Sequence, residues 1–533
     1  MNVKEFDYII CGAGSAGCVV ATRLIEQKKG SVLLLEAGGS DQDFNYRIPA
    51  GIPVVIQSTW DYSTEPDART NHRIMSCAQG KVLGGGSSVN GMIYLRGQAE
   101  DYDEWASRYG CTGWDFQSIL PYFKKAENNE SLSGEYHGTA GHLAVSDTRL
   151  KHPLTRAFIK AGQEFGLPYV ADFNGKDQQG VGFYQHSIKN GERGSTSRTY
   201  LASVKEHPQL TIQLNTQVSK ILLENKTAVG VQCLVNGKEQ TFKARKSIVL
   251  SSGSIGSAKI LLLSGIGPKA HLDKIGIEAQ HELPVGHHYH DHLHTSINAT
   301  IKQPISLYGE DKGLKCYKHG LQWLLFREGV VASSVLEGGA FMDSNHEGRP
   351  DVQAMFLPVL DVFDDPSGKG KQYTHGITLK MCHLRPKSRG RLYLRSNNPL
   401  DPVKIDANLL EHPDDLEGLI RATQFGLDLL AQPSLAQQVD EVFAPDDSVK
   451  RDDVTALEVF VRENCKTTYH PVGTCRMGTH SQDSVVDLDL KVHGIERLRV
   501  IDCSIFPSIP SANTNAPTIA VAEKGVDVLI QQS

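Results

Sequence analysis

The stretch FDYIICGAGSAGCVVATRLIEQ, Phe6 to Gln27, decides the fold class. Phe6 to Cys11 is a short apolar run of strand length. Gly12, Gly14 and Gly17 then spell G-x-G-x-x-G, and Ala16, Val19, Val20, Arg23 and Leu24 follow at helical spacing. A second apolar strand, SVLLLEAGG from Ser31 to Gly39, ends near Glu36, 22 residues past Gly14. The motif alone is weak evidence. A strand before it, a helix after it and an acid downstream make it a dinucleotide-binding βαβ unit. Gly12 permits a tight turn, Gly14 lets backbone approach a pyrophosphate, and Gly17 lets helix and strand pack closely. Ser15 and Ala16 open the helix, whose free N–H groups suit phosphate. Glu36, beside Ala37, can accept both ribose hydroxyls and would repel a 2′-phosphate, which disfavours NADP. FAD and NAD fit this unit equally well.

The bulk properties agree with an ordinary globular protein. The chain has 533 residues, 40% hydrophobic and 22% charged, enough for two to four domains. A formal net charge of -6 with no dominant basic face excludes nucleic acid as an expected partner. The ten cysteines are scattered, with no CxxC pair, which reads as reduced thiols in a reducing, cytoplasmic compartment. Residues 1–11 show no secretory signal pattern. No run of about 18 apolar residues is present, so no spanning helix is expected. Peripheral contact with the inner face of a membrane is left open, as is the oligomeric state.

Further loops carry chemistry. GKVLGGGSSVNGMIYLRG, Gly80 to Gly97, is glycine-rich but lacks the Gly-Lys-Ser/Thr of a Walker loop. Its polar Ser87, Ser88 and Asn90 precede apolar Met92 and Ile93, which predicts an ordered, half-buried segment. KSIVLSSGSIGSAKILLLSGIGP, Lys246 to Pro268, is another strand–turn–helix, with its strand at Ser247–Leu250 and its helix opening at Ser254. DVQAMFLP, GITLKMCHL and GRLYLR alternate in period two, as half-buried antiparallel strands do. HPDDLEGLIRATQFGLDLLAQ is an amphipathic helix whose Pro413 suits the first turn.

With these loops in view, the sequence resembles the glucose–methanol–choline family of flavoprotein oxidoreductases. WDYSTEP (Trp60–Pro66), GVGFYQ (Gly180–Gln185), PKSRGRL (Pro386–Leu392), HPVGTCRMG (His470–Gly478) and NTNAPT (Asn513–Thr518) stand in the family's order along essentially the whole chain. They look most like the bacterial FAD alcohol dehydrogenases linked to quinone and the choline dehydrogenase-like proteins. The chain departs in carrying Ala78 and Gln79 where Pro-Arg is usual, and Gly86 where Ser is usual. The resemblance implies an α/β fold: a Rossmann-type FAD-binding domain with a discontinuous second α+β substrate domain built on an antiparallel sheet. The expected FAD-binding domain covers 1–150, 195–300 and 480–533, and the substrate domain 151–194 and 301–479. Besides the residues of the first turn, the resemblance places Val82, Gly86, Asn90, Gly91, Met92, Ile93, Val218, Asp502, Cys503, Asn515, Pro517 and Thr518 at the cofactor. Some flavin-linked oxidases attach FAD through a His where this chain has Val89, so non-covalent FAD is expected.

By resemblance His470 is the catalytic base and Asn513 its partner, and the chemistry agrees. Oxidising an alcohol sends a hydride to the flavin and a proton to a protein base. A neutral imidazole can take that proton. Asn513 cannot be a base, but its N–H can hold an oxygen that becomes more negative. Pro471 and Gly473 allow the turn that aims the ring, and Cys475 reads as packing. A helix is expected from about Pro517, its positive end toward the flavin. GHHYHDHLH, Gly286 to His294, invites a metal site. Asp291 and His292 are ordinary for the family there, and the other histidines decorate a structural turn, so no metal is expected. Glu337 in SSVLEGG aligns with a segment that supplies a carboxylate in choline-oxidising relatives, which makes it a candidate substrate contact. No aromatic-rich neighbourhood accompanies it, so an uncharged primary alcohol is the expected substrate and a quinone the expected electron acceptor. Choline dehydrogenation or oxygen-using alcohol oxidation is the alternative.

Overall fold

The parallel half of the fold is organised by one long strand that changes partners midway. The computed structural model describes residues 4–361 and 374–532. In chain order it opens with β1 (Lys4–Cys11), α1 (Ser15–Glu26) and β2 (Val32–Leu35). Next come α2 (Pro153–Glu164), β3 (Gly180–Phe183), β4 (Leu210–Gln213), β5 (Thr216–Glu224), β6 (Thr227–Val235), β7 (Lys238–Leu250) and α3 (Gly253–Leu263). The second half supplies β8 (Leu293–Ile301), α4 (Gly313–Phe326), β9 (Gly338–Met342), β10 (Val352–Leu357) and β11 (Gly376–His383). It closes with α5 (Pro413–Leu430), β12 (Val439–Ala444), β13 (Lys466–Thr467), β14 (Leu498–Val500) and α6 (Asn515–Gln531).

The first sheet runs β4-β2-β1-β7-β6-β5, with β14 also paired to β7. β7 takes antiparallel β6 along its first half and parallel β14 along its last three residues, Ile248–Leu250 against Leu498–Val500. The C-terminal ends of β1, β2, β7 and β14 therefore meet along one edge. Open sheets bind ligands outside that edge, at the switch in strand order. The turn after β1 needs its glycines for steric reasons. Gly12 has φ +102°, and a Cβ there would lie 2.5 Å from Ser251 O. A Cβ on Gly17 would lie 1.9 Å from Gly12 O, so α1 can sit this close to the turn only without one. Val19, Val20 and Leu24 of α1 are fully buried, each contributing about 1.5–3 kcal/mol. α6 packs beside α1, and the buried Glu523 accepts three hydrogen bonds from Arg23 and one from Tyr200.

The second sheet, β12-β8-β11-β10-β9-β3, is antiparallel throughout, with β13 on the end of β8. The period-two strands at Val352–Leu357 and Gly376–His383 form, but they are not half-buried. All six residues of β10 are buried, and Lys380 alone interrupts the burial of β11. α2 and α5 cover one face, where Phe158 stacks on Phe356 at 4.8 Å and Phe425 and Leu429 join Ile297 and Met381. The other face closes over the cavity described below. GRLYLR also forms an antiparallel strand, but it pairs with Lys404–Asp406 outside this sheet. Its Leu392 and Leu394 enter the core of the nucleotide sheet. The helix expected from Pro413 forms with Pro413 as its first residue, and His412 Nδ1 accepts from Asp414 N at its start. Among the described residues no helix is long and apolar enough to cross a membrane.

Candidate active site

A cavity of about 940 Å³ lies between the C-terminal edge of the parallel strands and the inner face of the antiparallel sheet. Its wall includes Gly12, Gly14, Ser15, Ala16, Glu36 and Ala37 from the first βαβ unit. Gly86, Asn90, Gly91, Met92 and Ile93 come from the second glycine loop, and Val218, Asp502, Cys503, Asn515 and Thr518 complete the expected set. Three expected cofactor residues stand behind the wall instead. Gly17 lies under the turn, where it allows α1 its close approach. Val82 packs with Val55 and Val89. Pro517 is buried in the first turn of α6, which begins at Asn515 rather than Pro517.

The wall fits a phosphate-bearing dinucleotide. A Cβ on Gly85 would strike Gly14 Cα at 2.6 Å, so the two glycine loops touch backbone to backbone. Beside that contact the space is open: a Cβ on Gly86 would meet nothing within 4 Å. α1 and α6 both begin at this wall, and neither has a side-chain cap. Their first N–H groups are left for an anionic ligand. Glu36 accepts hydrogen bonds from Ala13 N at 3.0 Å and Gly38 N at 2.8 Å. Burial pushes its carboxyl up to about 7 against these donors.

His470 follows β13, and the segment after it is held between two others. Val472 bridges to His290, while Cys475 N and Met477 N donate to Ser504 O and Ile505 O. Gly473 has φ +88°, and a Cβ there would lie 2.4 Å from His288 O. Cys475 is fully buried in this packing. His470 N donates to Asp291 Oδ1 at 2.9 Å. The ring's tautomer follows from its neighbours. His292 Nε2–H donates to Leu384 O at 2.9 Å, so the lone pair of neutral His292 is on Nδ1, 3.2 Å from His470 Nδ1. Thr468 donates its hydroxyl to His292 O at 3.3 Å, leaving its lone pairs to accept from His470 Nδ1 at 2.9 Å. Both neighbours of Nδ1 accept, so the proton sits there and the lone pair is on Nε2, on the Asn513 side of the ring. Asn513 Nδ2 stands 3.2 Å from that Nε2. Burial, then the charge of nearby His294, pulls His470 down to about 3, so the ring is neutral at neutral pH.

Glu337 does not join this site. It is fully buried away from the cavity wall, and its Oε2 accepts from His152 N at 2.7 Å and Thr155 Oγ1 at 2.9 Å at the start of α2. Its neighbours Val335 and Leu336 reach the wall instead. The histidines of Gly286–His294 are not grouped as ligands: His290 Nδ1 bonds the backbone O of His288 at 2.6 Å, and His292 serves His470. Among the described residues no group of three or more His, Cys, Asp or Glu is arranged to hold a metal ion. His292, Thr468 and His294 are the site residues that sequence reasoning missed. Asp291-His292 was visible as a family segment, but nothing in its spacing points to His470, 178 residues on.

Residues 6–294 and 386–522 match the amino-terminal and carboxy-terminal family models described as GMC oxidoreductase. The chain is 40% identical to an oxygen-dependent choline dehydrogenase of Vibrio vulnificus (strain YJ016), covering 99% of this chain and 95% of that protein. It is 38% identical to an alcohol dehydrogenase [acceptor] of Pseudomonas putida, covering 99% and 96%. A solved structure of Aspergillus oryzae RIB40 formate oxidase, concerned with the modification of its FAD, superposes with a TM-score of 0.92 at 25% identity, covering 100% and 99%.

Proposed function

The chain belongs to the GMC oxidoreductase family, and from that premise we propose that it uses non-covalent FAD to oxidise an uncharged primary alcohol to an aldehyde, passing the electrons to a quinone-type acceptor. The observation that carries the reading is the pair His470 Nε2 and Asn513 Nδ2, 3.2 Å apart on the wall that also holds the dinucleotide turn. The turn Gly12–Ala16, Gly86–Ile93, Glu36 and the first residues of α6 would hold the cofactor. Bound flavin supplies the hydride acceptor for the carbinol carbon. His470 Nε2 takes the hydroxyl proton as the C–H electron pair departs and C=O forms. The substrate hydroxyl would replace Asn513 at the Nε2 lone pair, and the Asn513 N–H released from Nε2 would hold the substrate oxygen as negative charge grows on it. Met92, Ile93 and Leu336 add apolar surface to the same wall.

The rest of the wall supports an apolar substrate. Ile52, Val331, Leu357 and Leu360 line it. Two of its carboxylates are already engaged: Asp361 pairs with Lys380 at 2.6 Å, and Glu310 with Lys315 and His319 at 2.7 Å. Choline is the second reading, supported by the aromatic side chains Trp60, Tyr62 and Tyr308 on the same wall, although Lys81 and Lys312 already sit over the Trp60 and Tyr308 rings. A panel of alcohols including choline, run with a dye acceptor while oxygen uptake is recorded, separates these readings. Replacing His470 with Ala should cut turnover by about 10²–10⁴-fold while FAD stays bound. A fully active variant would remove the base.

A further inference from the structure

α4 is built inside out. Leu314, Tyr317, Leu321, Leu324 and Leu325 recur at helical spacing on one face. That face points to solvent: these five side chains and Phe326 are between 57% and 87% exposed. The opposite face is anchored by Trp323, the one buried residue of the helix. Trp323 donates from Nε1 to Gly191 O at 2.7 Å, with the Phe44 ring edge-on at 5.4 Å and the Arg327 guanidinium 4.1 Å above it. An exposed apolar stripe of this kind calls for a partner.

We propose that α4 is a membrane-docking helix that lies in the headgroup region of an anionic bilayer with the mouth of the cavity facing the lipid. Charge selects this occupant. From Lys312 to Arg327 the segment carries Lys312, Lys315, Lys318 and Arg327 and no acidic residue, in a chain of net charge -6; Lys315 is paired with Glu310 and Arg327 with Glu192, while Lys312 and Lys318 are exposed. Lysines flanking a Leu- and aromatic-rich stripe suit anionic headgroups above an apolar boundary. A second copy suits it less. A two-fold contact would set these cations against each other, and six side chains of one projecting helix fall short of the about 20 residues a side of a stable interface. Position agrees as well: Cys316 and His319 of α4 line the cavity, as do Ile52 and Pro53, beside exposed Val54. A lipophilic alcohol or acceptor dissolved in the bilayer would thus reach the cavity without crossing water.

The test is flotation of the FAD-loaded full chain with vesicles of phosphatidylcholine and phosphatidylglycerol, and with phosphatidylcholine alone. The double variant Leu321→Glu, Leu324→Glu changes only exposed positions away from the cavity wall. The wild type should float with the anionic vesicles and lose this in high salt. The variant should float at least tenfold less, with unchanged flavin absorbance and unchanged dye-linked turnover of a short, water-soluble alcohol. Vesicle binding is read without substrate, so it stands apart from the alcohol-oxidation reading. Wild type left in the soluble fraction with both vesicles overturns the proposal, as does a variant that floats normally. A wild-type dimer that the variant converts to monomer without any flotation assigns the face to a second copy instead.

Discussion

The role proposed for His470 depends on which nitrogen carries the proton, and that is decided by groups far away in sequence. Leu384 O fixes the His292 tautomer, His292 and Thr468 fix that of His470, and the lone pair is left at Nε2. Replacing His292 with Phe removes the Nδ1 acceptor and frees the ring to turn. We expect kcat/KM to fall about tenfold, the worth of one hydrogen bond of about 1–1.5 kcal/mol, with FAD content unchanged; an unaltered rate and pH profile would show that Thr468 suffices. The pH dependence follows from the same burial. His470 is pulled down to about 3, so its basic form persists as pH falls through the ordinary histidine range. The acid limb of kcat/KM should therefore lie below about pH 5, and a limb near 6.5 would mean that the ring is solvated. That His470 and Asn513 meet on one wall was legible because each sits in a distinctive local motif. Their support was not, since it is a contact between chain segments. Glu337 misled for the same reason. β9 starts at the next residue and pairs with β10 and β3, and the carboxylate ends at the start of α2 rather than in the cavity.

At the scale of elements, the glycines of the first turn separate into two kinds. Gly17 is a packing glycine, because a Cβ there meets the Gly12 backbone oxygen at 1.9 Å. Gly14 is an access glycine, because a Cβ there meets nothing closer than Gly85 Cα at 3.9 Å. Gly17→Ala should lower the stability of the apoprotein by about 1–3 kcal/mol through overpacking. Gly14→Ala should leave apoprotein stability nearly unchanged and weaken FAD binding, since the methyl group projects where ligand backbone contact is needed. Denaturant unfolding of both apoproteins, beside an FAD titration, checks the division; equal destabilisation would erase it. The βαβ unit was readable because strand, turn and helix are local. The antiparallel strands were readable as strands, but period two did not give their burial. β10 and β11 are covered on one face by α2 and α5 and on the other by the cavity-facing side chains. Whether a strand has one covered face or two depends on which helices return to it. α4 escaped notice because an apolar helical stripe ordinarily means core, and only the fold shows that this one faces outward.

At the scale of the molecule, the cavity wall is collected from Gly12 to Thr518 and from both sheets. The sequence order of the motifs made the family legible, but not that the antiparallel sheet contributes His294, Met355 and Leu357 to the same wall as the nucleotide turn. A ligand filling this space touches both sheets and is absent from the unfolded chain, so FAD should stabilise the whole fold. At free FAD of about 100 times its Kd the gain is about 2.7 kcal/mol, with Tm rising steadily as FAD is added. This dependence requires an exchangeable cofactor. Val89 is on the wall and has no atom able to bond the flavin covalently, so acid precipitation should release all the flavin to the supernatant and added FAD should restore both Tm and turnover. Flavin that stays with the precipitated chain would instead mean a covalent link through another wall residue, and Tm would then be independent of added FAD.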